Sequence, residues 1–352
     1  MANQRAKEKA ILDIHWSSRS KGLMRLLDVL RLRSTLAPIK NLCKQKSKSL
    51  SDIVMMFVVI LATNNVNAVN KIHEGCSSLR NLSSHYIIEE NIGSGYHGNV
   101  SIARDIRTQE KVAIKQYDIA KYETMSRLDS LRTEIKIMKT CNHKNVVTFR
   151  TCFVIDGILS IVMEYLVGGV LKPFENPEGT EKEISYLCSQ ILEGIQYLHK
   201  RNIMHRDLNY SNVVLDKNGM PKIIDFTSSV IFGDNETWKG TTGPPHYLAP
   251  EVFQGKGYNK KADIWSFGIT IVYMIEKNST HLNRRLRPFT RLPTFHLGLD
   301  EIRAWDMLST TFKHFLRICL KLDPKERGSA KDLLKHPFIL RTRIHEIYHQ
   351  EL

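Results

Sequence analysis

The spacing of apolar residues changes near the middle of the chain. Before Gly168-Gly169 they come in short, β-branched runs: Tyr86-Ile-Ile-Glu89, Lys111-Val-Ala-Ile-Lys115 and Leu159-Ser-Ile-Val-Met-Glu-Tyr-Leu166 read as strands. One helix interrupts them, with Leu128, Leu131, Ile135 and Met138 at helical spacing within 126–140. After the glycine pair the period is mainly helical, over Glu183–His199, Ala262–Glu276, Thr310–Leu320 and Ala330–Leu334. The prediction is an α+β fold with two lobes: a small antiparallel β-rich lobe over 85–166 and a larger, mainly helical lobe over 167–339. A short tail, 340–352, follows.

Residues 1–84 read as a separate extension. Leu23, Leu26, Leu27 and Leu30 recur at helical spacing beside Arg25, Arg31 and Arg33, which predicts a short basic amphipathic helix. Such a helix suits a membrane surface or a partner groove, and equally a leucine face docked on its own domain. The run Ile53–Ala62 is too short to span a bilayer and reads as a buried strand or helix. It would serve as a secretory signal only if translation began at Met55 or Met56, and the Arg-rich start also has the texture of a mitochondrial presequence.

Composition adds one point. At 42% hydrophobic and 25% charged, the 352 residues can bury a sizeable core. The net charge of +15 is uneven: residues 1–84 hold 14 Lys and Arg against 5 Asp and Glu, while the remainder holds 37 against 31. A basic arm of this kind suits an anionic membrane, nucleic acid or acidic protein, and suits a solvated arm as well. We expect no nucleic-acid partner, and we keep a weak membrane-surface contact through the arm as an expectation. The six cysteines are scattered with no Cys-x-x-Cys pair, which argues against a zinc site and fits a cytoplasmic location.

Several motifs carry chemistry. Gly93, Gly95 and Gly98 form Gly-x-Gly-x-x-Gly-x-Val100, where the absence of Cβ atoms lets backbone approach phosphates. A dinucleotide fold would open a helix at these glycines, whereas here a second strand follows and ends at Lys115. A lysine at the end of an apolar strand needs an anion, either a nucleotide phosphate or a carboxylate such as Glu134. Farther on, His205-Arg-Asp207-Leu-Asn-Tyr-Ser-Asn212 is followed by Asp225-Phe226. Asp207 would accept or orient a hydroxyl proton, and Asn212 and Asp225 offer the oxygen donors that magnesium prefers.

Residues 86–338 resemble a eukaryotic protein kinase catalytic domain. Further matches are Ala249-Pro-Glu251, Asp263-Ile-Trp-Ser-Phe-Gly268, Asp323-Pro-Lys-Glu-Arg327 and His336-Pro-Phe338. The serine/threonine branch is the nearest, and Lys260–Thr270 is most similar to germinal-centre (sterile-twenty-like) kinases. The resemblance implies a protein-kinase-like fold, ATP and Mg²⁺ as cofactors, protein substrates and an upstream activating kinase. It implies that Ile92, Gly93, Gly95, Gly98, Val100, Ala113, Lys115, Met163, Glu164, Leu166 and Val214 surround the nucleotide, with Met163 as gatekeeper. It also implies pairs between Lys115 and Glu134 and between Glu251 and Arg327, and bracing of the catalytic loop by Asp263.

Three positions depart from the family pattern. Asn209 stands where serine/threonine kinases carry a lysine that contacts the transferring phosphate, which predicts slow turnover. Thr227 replaces the glycine of Asp-Phe-Gly and stiffens that loop. Before Ala249, the family's Gly-Thr aligns either on Gly240-Thr241 or on Gly243-Pro244. The expected activity is transfer of the γ-phosphoryl group of ATP to Ser or Thr hydroxyls in intracellular signalling. The alternative is a weakly active or inactive nucleotide-binding pseudokinase acting as an allosteric adaptor. Arg206 would receive a phosphate on Thr237 or Thr241, and the arginines at 284, 285, 287 and 291 suit an acidic partner or a solvated loop.

Overall fold

The computed structural model describes residues 85–95, 98–121, 125–174, 181–233, 237–276 and 305–341, with Ile72, Cys76 and Leu299. All of these belong to the compact unit Asn67–Leu352. The leucine-spaced stretch at 23–30, the apolar run at 53–62, the arginines at 284–291 and the tail beyond 341 lie outside the described residues.

Five strands, β1 (Tyr86–Gly95), β2 (Gly98–Asp105), β3 (Lys111–Asp118), β4 (Phe149–Ile155) and β5 (Ile158–Glu164), form an antiparallel sheet in the order β1-β2-β3-β5-β4. Asp156 and Gly157 join β4 to β5, both at positive φ (49° and 78°), as a two-residue turn between right-twisted strands requires. Register then decides which residues share a face. Val100 lies opposite Lys115, Lys115 opposite Ile161, and Ala113 opposite Met163. Because side chains alternate along each strand, these five lie on one face. The other face carries Ala103, Val112, Ile114, Phe153 and Val162, which pack as a small core of their own.

Helix α1 (Met125–Thr140) turns Leu128, Leu131, Ile135 and Met138 into the main core, which fits their spacing in the sequence. The larger lobe is built on α2 (Glu181–Lys200), α3 (Pro250–Phe253), α4 (Lys261–Ile275), α5 (Thr310–Cys319) and α6 (Ala330–Leu333). Helix α4 is buried on nearly every side, so it carries little amphipathic signal. Helix α5 begins at Ser309, whose hydroxyl accepts from the Phe312 N–H. Helix α6 begins with a reciprocal Ser329–Asp332 capping box.

Five short strands set the loops between the lobes: β6 (Gly169–Val170), β7 (Ile203–Met204), β8 (Val213–Leu215), β9 (Pro221–Ile223) and β10 (Val230–Ile231). They pair as β6-β8-β9 and β7-β10. Val213 lies opposite Ile223, so the residue before β8 and the residues after β9 meet. The Ile224 N–H donates to the Asn212 carbonyl at 3.0 Å.

Two buried charges hold the lower lobe together. Asp263 on α4 accepts the backbone N–H groups of His205 and Arg206 at 3.0 and 2.9 Å. Arg327 makes a bidentate pair with Glu251 at 2.7 and 3.0 Å. The Sγ atoms of Cys76 and Cys152 lie 2.7 Å apart, a proximity that the scattered cysteine positions gave no sign of.

Candidate active site

Lys115 reaches from β3 into a buried polar cluster. Its Nζ lies 3.2 Å from Glu134 Oε1 on α1 and 2.8 Å from Asp225 Oδ1. A third acceptor, Thr227 Oγ1, lies at 2.7 Å. These acceptors match the three N–H groups of an ammonium. Burial alone would lower the Lys115 pKa, but Glu134, Tyr117 and Asp225 raise it well above the ordinary lysine value, so the amine stays protonated. Tyr117, two residues along the same strand face, donates to Glu134 Oε2 at 2.6 Å. The Tyr117 hydroxyl is pushed up by burial and then by the Glu134 charge.

Asp225 follows β9 with φ of 63°, a left-handed backbone that a non-glycine residue keeps only when its surroundings hold it. Burial would raise its pKa, yet the Lys115 charge and the hydrogen bonds from Lys115 and Thr227 hold it well below the usual carboxylate range. Phe226 is fully buried and packs edge-on against His205, with ring centroids 5.4 Å apart. The His205 ring makes a 2.9 Å hydrogen bond with the Ile224 carbonyl, which ties the two loops.

Asp207 sits between two amides. Asn209 Nδ2 donates to its Oδ1 at 3.0 Å, and Asn212 Nδ2 donates to its Oδ2 at 3.1 Å. Asn212 Nδ2 also donates to the Asp207 carbonyl at 2.8 Å, so both neighbours of that nitrogen are acceptors and the amide orientation follows. The Asn212 side-chain oxygen is then the atom left for a cation. Burial pushes the Asp207 pKa up and the Asp225 charge adds to this, while His205 and the two amides oppose it.

The structure separates the two registers open before Ala249. A Cβ placed on Gly243, at φ of +91°, would lie 3.1 Å from both the Arg206 carbonyl and Asp207 Oδ1. A Cβ on Gly240 would meet nothing within 4 Å. Gly243 is therefore the glycine beside the catalytic loop, and Pro244, which has no hydroxyl, follows it. Arg206, at φ of 65°, donates from Nε to the Ser228 carbonyl at 2.7 Å and stacks 5.0 Å over the Trp238 ring.

The remaining residues expected at the site are spread around the sheet face. Gly93 lies opposite Val100, and Gly95 opposite Gly98. Gly98 has φ of +108°, and a Cβ there would lie 2.4 Å from the Gln116 carbonyl oxygen, so only glycine fits. Ile92 falls at a register shift of β1 and is 49% exposed. Ala113, Val100 and Met163 line the face above Lys115. Val214 lies on β8 opposite Lys222. Glu164 bonds through its carboxylate to Lys222 Nζ at 2.9 Å and to the Thr148 N–H at 2.6 Å. Leu166 follows on the half-buried connection between the lobes.

Sequence reasoning missed Tyr117 and read Thr227 and Asn209 only as losses. A period of two from Lys115 would have placed Tyr117 on the same face. The hydrogen bonds of Thr227 and Asn209 depend on contacts that no local pattern reports.

Residues 86–339 match the protein kinase domain family. The chain is 38% identical over 259 residues to the serine/threonine-protein kinase CLA4 of Candida albicans, which is 72% of this chain and 26% of that protein. It is 37% identical over 251 residues to the serine/threonine-protein kinase STE20 of Candida glabrata, 70% of this chain and 27% of the relative. It is 34% identical over 253 residues to the mouse serine/threonine-protein kinase PAK 1, 71% of this chain and 46% of the relative. The chain thus spans between about a quarter and a half of these relatives' length. The sterile-twenty-like resemblance agrees with them, while its germinal-centre subdivision is matched only roughly. With the motif cluster, the two-lobed fold and these relatives in agreement, the chain belongs to the protein kinase family, on its serine/threonine branch.

Proposed function

We propose that this chain transfers the γ-phosphoryl group of ATP to serine or threonine hydroxyls of protein substrates, with Mg²⁺, in cytoplasmic signalling. One observation carries the reading: Lys115 is ion-paired with Glu134 and Asp225, and Asp207 is aimed by Asn212 on a loop that the Ile224 N–H ties to the Asp225 segment, four separate stretches of sequence in all. The catalytic domain spans 85–339, with lobes 85–166 and 167–339, an extension at 1–84 and a tail at 340–352.

The residues present suit the cofactors. Gly98, where any Cβ would collide with the Gln116 carbonyl, holds the glycine turn close against β3, the strand that carries Lys115. Asp225 and the Asn212 oxygen form a hard, oxygen-only donor pair, and magnesium accepts such a pair when phosphates and water complete its shell. Mg²⁺ bound there would neutralise charge on the phosphates. Lys115 holds a fixed positive charge beside them. Gly93, Gly95 and Gly98 cover the phosphates, and Ile92, Val100, Ala113, Met163, Glu164, Leu166 and Val214 hold the base. Asp207, aimed by two amides, orients the acceptor hydroxyl and takes its proton. Asn209 supplies that aim without positive charge, so turnover is slower than in a kinase with lysine there.

The test is transfer of labelled phosphate from ATP with Mg²⁺ to a generic basic-protein substrate, comparing the native chain with Asp207→Ala. Loss of transfer in the variant supports catalysis. Equal background in both, with nucleotide still bound, would instead mean an adaptor that only binds.

A further inference from the structure

Thr227 occupies the place where its family carries glycine, and its hydroxyl is the most heavily shared atom of the cluster. Oγ1 lies 2.6 Å from Asp225 Oδ1 and 2.7 Å from Lys115 Nζ. It lies 3.2 Å from the Tyr117 hydroxyl and 3.3 Å from each Glu134 oxygen. Proton counting resolves the pattern. The Tyr117 proton goes to Glu134 Oε2 at 2.6 Å, and Lys115 has only protons to give. The single Thr227 proton therefore goes to Asp225 Oδ1, the shortest of its contacts, while its lone pairs accept from Lys115. Asp225 Oδ1 also receives the Thr227 backbone N–H at 3.1 Å and Lys115 Nζ at 2.8 Å. Three donors converge on one carboxylate oxygen, which leaves Oδ2 for any cation.

We infer that Thr227 is a positioning residue for the metal site: its hydroxyl clamps Asp225 Oδ1, presets Oδ2 toward Mg²⁺, and occupies a Lys115 N–H that the nucleotide phosphates must win back. This rests on the kinase reading above and deepens it. Asp225 sits at φ of 63°, a conformation that needs support, and the hydroxyl bridge supplies support that a glycine could not. Threonine is also stiff at χ1, so the clamp is held in place.

The two halves of the inference act in opposite directions, which sets the experiment. Binding of a fluorescent ATP analogue to the full chain is titrated at fixed Mg²⁺ concentrations and in a metal chelator, for native, Thr227→Val and Thr227→Ser proteins. Valine keeps the shape and removes the hydroxyl, and serine keeps the hydroxyl. Thr227→Val is expected to raise the half-saturating Mg²⁺ about tenfold, the factor carried by one lost hydrogen bond to a charged group. Its metal-free affinity for the analogue should be unchanged or tighter, because Lys115 is released. Thr227→Ser should return the Mg²⁺ midpoint to within about threefold of native, since it restores the same bond. A Thr227→Val midpoint within about twofold of native would overturn the inference, because one charge-assisted bond is worth more than that. So would parallel weakening of both readouts without rescue by serine, which marks a general packing defect. Native protein that binds no analogue under any condition would sink the kinase reading and this inference with it. A Mg²⁺-dependent native protein with an indifferent valine variant sinks this inference alone.

Discussion

Arg327 is the residue whose removal should do most damage per atom lost. Its side chain is fully buried, and all five N–H groups are used. Nε donates to the Lys321 carbonyl at 3.0 Å, Nη1 to Glu251 Oε1 at 2.7 Å and the Lys261 carbonyl at 2.8 Å. Nη2 donates to Glu251 Oε2 at 3.0 Å and the Leu322 carbonyl at 3.4 Å, and the guanidinium stacks 5.1 Å over Trp265. Arg327→Ala leaves the Glu251 carboxylate buried without its cation and takes a donor from the Lys261, Lys321 and Leu322 carbonyls. Breaking a buried pair in this one-sided way costs about 3–5 kcal/mol. That is a large share of the ~5–15 kcal/mol by which a domain is stable. At about 2–4 °C per kcal/mol for a domain of this size, the melting temperature should fall by about 6–20 °C. Arg327→Lys keeps the charge but loses the fork, and should fall between native and alanine. The assay is chemical denaturation of native, Arg327→Ala, Glu251→Ala and the double variant. The double should cost clearly less than the two single losses added together, because the second substitution removes the stranded charge. An Arg327→Ala loss below about 1 kcal/mol, the range of a surface pair, would refute the argument.

Gly98→Ala should weaken nucleotide binding and destabilise the β2–β3 pairing by about 1–3 kcal/mol, the cost of a forbidden backbone conformation, because its Cβ would lie 2.4 Å from the Gln116 oxygen on β3. Nucleotide titration with thermal melting checks both effects. Arg107 holds the Asp105 carboxylate down to about 2 through its hydrogen bonds, against the opposing effect of burial. A depressed carboxylate stabilises the fold above its unfolded pKa of about 4 and ceases to as pH falls through the folded value. The stability gap between native and Arg107→Ala, read as denaturation midpoints, should therefore be constant near neutrality and narrow steadily below about pH 4. A gap independent of pH would show that Arg107 acts through packing alone.

Much of the fold could be read locally. The helical spacing of Leu128, Leu131, Ile135 and Met138 located α1, and the β-branched run before Lys115 located β3. β4 escaped that reading although Asp156-Gly157 is a strong hairpin signal, because Phe149–Ile155 mixes Arg, Thr and Cys into its period. At the site, glycine spacing and the order of Lys115, Glu134, Asp207, Asn212 and Asp225 could be read from the chain alone. The roles of Asn209 and Thr227 could not, because each was known only by the residue it replaces. In the folded chain Asn209 aims Asp207 and Thr227 bonds to Asp225 and Lys115.

The linear chain specified its lobes, most of its helices and strands, and its family, because side-chain period and motif spacing are short-range properties written residue by residue. Folding specified the rest: Gly243 rather than Gly240 beside Asp207, Trp238 stacked on Arg206, and one hydroxyl joining residues 110 positions apart. These are contacts between distant segments. They depend on strand register, backbone dihedral angles and burial, which no local pattern encodes.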